Sequence, residues 1–464
     1  MTGAGTLKAA SSADDRSASG SQAVIMLQLF ALALMVIPSD TVILSIGAEG
    51  YPAALVGMFM FAVLAVSTVL GLHRRRRPRN PISIVLCLLW LSVLASYVLM
   101  NRNTLTVTEM ASADRLLMQL TVITGVALVA AEYLESVADM RRVLRVLCWG
   151  GAFCGVVAAL QYWLSLDIST SLRELPGFSV NGSDPAILTR GALNRVSGTA
   201  VYPIELGVVA GMLLPLAIYL GFHDTGRSAA RRWTPAALIA LGVPASVSRS
   251  AVLAFVVALA VLIVLMPVRQ RVIAFLAMPL TLVAVFMTAP GLIGTLATFF
   301  GAGASDASVQ SRLSDYPMVE RFLAEAPWFG RGGWTYIAPN AFDVLDNQYL
   351  KTAVELGLVG VLALVVFFIA PAIAALSARR HSVDPELRFL CAALAGAALA
   401  AAVCSLTFDS LSYPMFIGVY SLIIGLIGAG WRLAVGAEAR AGTRAELALA
   451  GPVPGAQPIL RAGG

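Results

Sequence analysis

The sequence predicts an all-α polytopic membrane protein with about twelve transmembrane helices and a large extracytoplasmic loop before the tenth. Of its 464 residues, 58% are hydrophobic and 12% are charged, against about 45–50% and about 25% in soluble proteins. The hydrophobic residues form blocks of roughly 16–22, the length at which a helix crosses a bilayer. These observations exclude a soluble enzyme and a chain that is disordered over most of its length.

The hydrophobic blocks define the spans in order along the chain. They lie at about 22–37, 53–72, 82–100, 116–134, 146–165, 202–221, 234–248, 250–266, 272–290, 352–371, 389–407 and 415–434. The seventh and eighth are together too long for one bilayer-crossing helix, so we expect a hairpin that breaks at Ser248-Arg249-Ser250. Residues 1–21 and 436–464 are polar or rich in Ala, Gly and Pro, which predicts disordered tails around a bundle over 22–435.

Basic residues indicate the orientation of the bundle. Alternate loops are basic, beginning with the N-terminal tail and including HRRRRPRN at 73–80, and the positive-inside rule assigns them to the cytoplasm. Both termini are then cytoplasmic, and long extracytoplasmic loops run from about 166 to 201 and from about 291 to 351. The net charge of +6 therefore reflects topology and indicates no nucleic-acid partner.

The sequence lacks the residue patterns that several common catalytic and binding sites require. The five cysteines lie inside hydrophobic blocks without a CxxC pair, which predicts neither disulfides nor a zinc site. His73, His223 and His381 all lie in predicted cytoplasmic loops, which excludes a histidine mechanism on the outer face. No P-loop or GxGxxG motif is present, so we expect no ATP, no dinucleotide, no other cofactor and no metal.

Arginines on the predicted outer side are the first candidates for function. The positive-inside rule disfavours arginine on this side of the membrane, so another function can explain why these residues are present. Guanidinium groups bind phosphates through two parallel hydrogen bonds. Arg249, in PASVSRSAVLAF, is expected at a helix N-terminus near the outer interface, where it binds an anion or else reaches lipid headgroups. Arg195 precedes the sixth span in LNRVSGTAVYPIELG, where it binds an anion or else pairs with Glu205 of the first helical turn.

The long loop before the tenth span supplies a second group of candidates. Its aromatic residues, which stack on sugars or else form an interfacial belt, cluster near the glycines of GRGG: Trp328, Trp334, Tyr336 and Tyr349. Arg331 lies among them, and Asp343 and Asp346 are the carboxylates nearest to the next span. Asp346 is a candidate general base, and the alternative is that it caps the helix that NQYLKTAVELGLVG begins.

Three segments resemble the O-antigen ligase/polymerase family of bacterial membrane glycosyltransferases. They are RVSGTAVYPIELGVVAGMLLPLAIYL at 195–220, VSRSAVLAFVVALAVLIVL at 247–265, and PWFGRGGW…DNQYLKTAVELGLVG within 327–360. The resemblance implies transfer or polymerisation of an undecaprenyl-diphosphate-linked glycan at the outer face of the bacterial cytoplasmic membrane. The acceptor is then a glycan, a lipid or a protein.

The resemblance also implies functional roles for Arg195, Arg249 and Asn347. Where the family has a histidine before this asparagine, the chain has Asp346, a departure that favours the polymerase-like or exopolysaccharide members. The resulting hypothesis is that the two arginines bind the diphosphate and stabilise its charge, while Asp346 accepts the proton of the acceptor hydroxyl. Further substrate contacts are expected from Arg190, Arg312, Arg331, Trp334, Asn347 and Tyr349.

The main alternative is a transporter or flippase that moves a lipid-linked glycan or a small anion without forming a bond. Transporters carry ionisable residues and interrupted helices near the bilayer midplane, and the predicted spans show almost none. A non-catalytic envelope scaffold and a cell-wall glycan polymerase of the shape, elongation and division type are two further alternatives.

Overall fold

The computed structural model describes residues 3–71, 80–100, 105–181, 187–190, 193–274, 307–338, 340 and 344–449. Side chains are described within 20–71, 80–100, 105–181, 194–274, 315–338, 340 and 344–437. Asp343 and most of the predicted ninth span therefore lie outside the described residues, as do the side chains of Arg190 and Arg312.

The described chain is mostly helical. In order, the helices are α1 (Gly3–Val36), α2 (Pro52–Val69), α3 (Pro81–Met100), α4 (Val107–Tyr133), α5 (Val137–Leu164), α6 (Ser169–Arg173), α7 (Pro203–His223), α8 (Ala229–Ala245), α9 (Arg249–Leu265), α10 (Ala307–Glu325), α11 (Gln348–His381), α12 (Pro385–Cys404) and α13 (Pro414–Leu449). Two antiparallel strand pairs accompany them: β1 (Thr41–Val42) with β2 (Ser179–Val180), and β3 (Ile187–Arg190) with β4 (Leu193–Val196).

The helix lengths agree with a polytopic membrane protein. Within the described residues, 8 helices are long and apolar enough to cross a membrane, and Gly20–Val36 and α9 are shorter apolar helices. A described helix lies at every predicted span except the ninth. The chain is thus a helical, polytopic membrane protein, while the count of about twelve spans and the extent of the large outer loop stay predictions.

The ends of the helices add detail to the sequence expectation. A break between the seventh and eighth predicted spans is present, but it lies at 246–248 and not at Ser248-Arg249-Ser250, because α8 ends at Ala245 and Arg249 already belongs to α9. Helical backbone, however, continues into both predicted tails, since α1 begins at Gly3 and α13 ends at Leu449. Alanine, the strongest helix former, recurs in both extensions. Strands β2, β3 and β4 and helix α10 lie within the long loops, and β1 lies between α1 and α2; the hydrophobic pattern predicts no element at these places.

Small residues allow the helices around the candidate site to approach one another closely. Gly207 and Gly211 of α7 face Ala251 and Ala254 of α9, and a Cβ at Gly207 would lie 2.3 Å from the Cβ of Ala251. Such contacts are typical of helices that pack in membranes, where small side chains let two backbones come together. The first turns of α7 and α9 therefore lie side by side.

Candidate functional site

Four helices, α7, α9, α11 and α13, begin at one end of the bundle, which we call the site end. A helix N-terminus carries backbone N–H groups without intrahelical partners and the positive end of the helix dipole, so it favours anions. Helix α12 ends here, and residues 405–413, which we call the 405–413 segment, lead from it to α13. This segment makes hydrogen bonds to α9 and α11, which assembles the site end.

The two arginines singled out from the sequence come together at the turn between α8 and α9. Pairing of β4 with β3 holds Arg195, and its Nε donates a hydrogen bond to the Ser246 carbonyl oxygen at 3.2 Å. Arg249 is the first residue of α9, directly after the N-cap residue Ser248. Both arginine side chains are half-buried. The Arg195 side chain is therefore bonded to the turn that directly precedes α9, and Arg249 is the first residue of that helix, a placement suited to binding a phosphate or diphosphate.

The turn between α8 and α9 is strained. Val247 has a φ of 44°. A β-branched residue is an outlier in this left-handed region, and such strain persists only where surrounding contacts enforce it. Here the turn is held from one side by Arg195 and from the other by the 405–413 segment.

The 405–413 segment connects the arginine turn to the start of α11. Ser250 Oγ and Thr407 Oγ1 lie 2.7 Å apart in a hydrogen bond, one residue beyond Arg249. On the other side, the Gln348 amide donates to the Ser405 carbonyl at 2.9 Å, and the Gln348 Oε1 accepts from the Leu411 amide at 2.8 Å. Arg249 and the first turn of α11 are therefore fixed relative to each other through one short segment.

An ion pair reinforces this connection. Lys351 Nζ donates to Asp409 Oδ2 at 3.2 Å and to Ser412 Oγ at 2.8 Å. The side chains of Lys351 and Asp409 are each only 16% exposed. Asp409 is not among the candidate residues that the sequence indicates. The only signal was the polar run SLTFDSLSYP between the last two hydrophobic blocks, which resembles an ordinary turn.

The start of α11 corrects one alternative from the sequence. Asn347, not Asp346, is the N-cap: its Oδ1 accepts from the amides of Tyr349 at 2.9 Å and Leu350 at 3.3 Å. The reason is that α11 begins at Gln348, and the N-cap is the residue directly before the first helical residue. The Asn347 oxygen is thus occupied by the helix, while Asp346 is exposed directly before it.

Glu205 organises the neighbouring helix ends. It lies in the first turn of α7, as expected, and is 0% exposed. Its Oε1 accepts from the amides of Met415 at 2.7 Å and Phe416 at 3.2 Å in α13, and its Oε2 accepts from the Val201 amide at 2.9 Å. The carboxyl group therefore bonds to the orphan N–H groups of α13 and to the chain that enters α7.

Helix α11 is interrupted, which the sequence analysis did not predict. Gly357 has φ 64° and ψ −166°, so the helix breaks there. The preceding loop forms hydrogen bonds with the backbone N–H and C=O groups that lose their helical partners at the break. The Pro327 and Trp328 carbonyls accept from the amides of Leu358 and Val359, and the Arg331 and Gly332 amides donate to the carbonyls of Val354 and Glu355. The segment 327–332 is therefore bound into the break.

Glu355 lies beside this break and is 3% exposed. Backbone amides of Trp334 and Tyr336 bond to its carboxyl group, and Lys351 lies close enough to act on its charge. Its Oε1 is buried without a hydrogen-bond partner among the described residues. Glu355 was not predicted from the sequence, because it lies near the start of the predicted tenth span, where a charged side chain can reach the membrane interface.

The other predicted contacts are placed as follows. Arg331 Nη2 donates to Glu109 Oε1 at 2.6 Å, and its guanidinium lies 5.6 Å from the Phe322 ring centre. Tyr349 Oη donates to the Ala402 carbonyl at 3.0 Å, which directs this side chain towards α12. Trp334, with φ 58°, packs partly buried against the core. Their roles in substrate binding stay predictions.

A second buried carboxyl group lies in the connection between α1 and α2. Glu49 is 3% exposed, and burial raises its pKa to about 8 while the nearby positive charge of Arg115 opposes the rise. Tyr51, two residues on, is also buried. This part of the site end therefore contains a carboxyl group that is largely protonated at neutral pH.

Comparison with known proteins agrees with the sequence resemblance. Residues 234–365 match the family model described as O-Antigen ligase. No curated protein matches the chain. The matched range includes Arg249, Arg331, Asp346 and Asn347, whereas Arg195 and the 405–413 segment lie outside it. The match supports the resemblance to the O-antigen ligase/polymerase family over residues 234–365, and what that family suggests is glycan transfer in cell-surface polysaccharide assembly.

Proposed function

We propose that the chain, whose residues 234–365 match the O-Antigen ligase family model, transfers or polymerises an undecaprenyl-diphosphate-linked glycan onto an acceptor. The reaction takes place at the outer face of the bacterial cytoplasmic membrane, with both termini in the cytoplasm. The acceptor is a glycan, a lipid or a protein. The observation that carries this proposal is the hydrogen bond from Arg195 to the turn that ends at Arg249.

The arginines act on the leaving group. Arg195 and Arg249 bind the diphosphate with bidentate, charge-assisted hydrogen bonds, and the N-terminus of α9 adds its dipole. As the bond between the anomeric carbon and the diphosphate oxygen breaks, negative charge grows on that oxygen, where preorganised cations stabilise it most. The lipid diphosphate leaves with the bonding electron pair, and no metal or nucleotide takes part.

Asp346 acts on the acceptor. The acceptor hydroxyl oxygen forms the new bond to the anomeric carbon, and its proton passes to the Asp346 carboxylate. Asn347 caps the helix directly after Asp346, which supports the base by fixing the backbone on which it stands. Arg190, Arg312, Arg331, Trp334 and Tyr349 are proposed to contact the remainder of the glycan.

The test uses full-length protein in vesicles with a lipid-linked glycan and its acceptor. Arg249→Ala and Arg195→Ala are expected to reduce product at least a hundredfold, and Arg249→Lys is expected to recover little, because lysine lacks the bidentate fork. Arg173→Ala is the matched control, since Arg173 pairs with Asp40 away from the arginine turn. Full activity of Arg249→Ala would remove this residue from the mechanism.

The transporter alternative has one observation in its favour, the interruption of α11 at Gly357 beside the buried Glu355. Broken helices and buried ionisable residues are common at transport sites. The same vesicles separate the two functions. A longer or newly attached glycan identifies a transferase, whereas movement of the lipid-linked glycan between leaflets without a new bond identifies a transporter.

A further inference from the structure

Two tyrosines form an aromatic pair at the site end. Tyr202 is the N-cap residue of α7, and Tyr413 directly precedes α13. Their ring centres are 5.7 Å apart and their planes are nearly perpendicular, at 88°. Both residues are half-buried, so part of each ring surface remains accessible. Neither lies in the range that matches the family model.

Contacts of Tyr413 connect the pair both to the arginine turn and to the start of α11. The Tyr413 ring packs on Phe408 with ring centres 5.3 Å apart, and the adjacent Thr407 is bonded to Ser250, beside Arg249. On its other side, Tyr413 lies within reach of the charges of Asp409 and Asp346.

The hydroxyl group of Tyr413 is available to a ligand. Burial, followed by the negative charges of Asp409, Glu205 and Asp346, raises the pKa of Tyr413 well above its ordinary value, so the group stays protonated. The structure shows no hydrogen bond from this hydroxyl within the part of the chain that it describes. Ring surface, a neutral hydroxyl and nearby carboxylates are the groups that bind the apolar face and the hydroxyl rim of a sugar.

We propose that Tyr202 and Tyr413 bind the sugar ring that is attached to the diphosphate, that is, the sugar whose anomeric carbon reacts. This inference rests on the proposed function. If the arginines hold the diphosphate and Asp346 faces the acceptor, the reacting sugar must lie between them, and contacts of Tyr413 connect the tyrosine pair to both places. The rings orient the sugar so that the acceptor approaches opposite to the leaving diphosphate.

The experiment compares binding of the glycan with binding of the lipid diphosphate alone. Full-length Tyr202→Ala and Tyr413→Ala proteins are assayed in vesicles, and KM and kcat for the lipid-linked glycan are measured. Inhibition by undecaprenyl diphosphate, which carries no sugar, is measured in parallel. We expect KM to rise about tenfold for each alanine variant, while inhibition by the sugar-free lipid changes less than about twofold.

Three variants control for altered folding. Tyr202→Phe retains the ring and should retain most of the wild-type KM. Tyr413→Phe retains the ring but loses the hydroxyl, so it should raise KM less than Tyr413→Ala does. Tyr162→Ala removes a tyrosine from another edge-to-face pair, with Trp163 at 5.0 Å in α5, and should leave KM unchanged.

Two results would overturn the inference. One is an unchanged KM in both alanine variants. The other is a parallel loss of inhibition by the sugar-free lipid, which would assign the tyrosines to the diphosphate or to folding. Failure of the proposed function has a different signature, namely full activity of Arg249→Ala or no transfer product from the wild type.

Discussion

Single side chains at the site end are held by contacts between residues that are far apart in the sequence. Arg195 reaches the Ser246 carbonyl, and Lys351 reaches Asp409. The sequence indicates Arg195 and Arg249 as candidate functional residues, because arginine on the outer side of a membrane protein is unusual. It did not indicate Asp409, since only the packing of α12 against α11 distinguishes this carboxylate from one in a solvated turn.

The Lys351–Asp409 pair provides the first prediction. Asp409→Asn removes the carboxylate that accepts a hydrogen bond from the Lys351 ammonium in a largely buried site and leaves Glu355 as the nearby acidic group, which should lower the free energy of unfolding by about 3 kcal/mol. Asp40→Asn is the matched control, because Arg173 and Asp40 form a pair whose side chains are 14% and 12% exposed. The melting temperature should fall by a similar amount in both variants, whereas kcat should fall only in Asp409→Asn. An equal kcat in the two variants would contradict a role for this pair in the site.

Glu49 provides a prediction about pH. Its folded-state pKa of about 8 lies above the ordinary glutamate pKa of 4.5, so its stabilising contribution is complete below about pH 4.5 and is lost as the pH rises through about 8. Glu49→Gln keeps a neutral side chain at every pH. The free energy of unfolding of the variant should therefore rise relative to that of the wild type between pH 5 and pH 9, by at most about 1.4 kcal/mol per pH unit, and its relative melting temperature should rise with it. A difference that does not vary with pH would show that Glu49 is already ionised at pH 5.

At the scale of elements, the sequence predicted helices and their hairpin well but did not predict the break in α11. The hydrophobic pattern shows where a helix lies in a bilayer, and the polar SRS run lies next to the turn between α8 and α9, although its last two residues belong to α9. Gly357 stands in an apolar run like many glycines of membrane helices. Its left-handed backbone follows from the segment 327–332, whose carbonyl and amide groups bond to residues on both sides of the break.

Gly357→Ala tests the break. The residue has a φ of +64°, and a Cβ there would lie 2.5 Å from the backbone carbon of Trp328, so the substitution should cost about 2 kcal/mol or more. Gly226→Ala is the control, since nothing lies within 4 Å of its added Cβ. In detergent, the melting temperature of Gly357→Ala should be clearly lower than that of Gly226→Ala. Similar melting temperatures would indicate that α11 is continuous through residue 357.

At the scale of the whole molecule, the site depends on the direction of the helices. The first turns of α7, α9, α11 and α13 meet at one end, and the 405–413 segment ties them together although it lies outside the range that matches the family model. The positive-inside rule predicts this end to face outwards. A lipid-linked donor that is used outside the cytoplasm requires that orientation, so the sidedness of the membrane protein decides whether the proposed chemistry is possible.

Cysteine labelling measures that sidedness. Ser412 at the site end is exposed, and Val383, between α11 and α12 at the opposite end, is 86% exposed. In a variant whose exposed Cys87 is replaced by serine, Ser412→Cys should react with a membrane-impermeant maleimide in intact cells. Val383→Cys should react only after the cells are made permeable, because its loop is predicted to be cytoplasmic. The reverse pattern would direct the arginine turn to the cytoplasm, where a lipid-linked glycan exported across the membrane does not reach it.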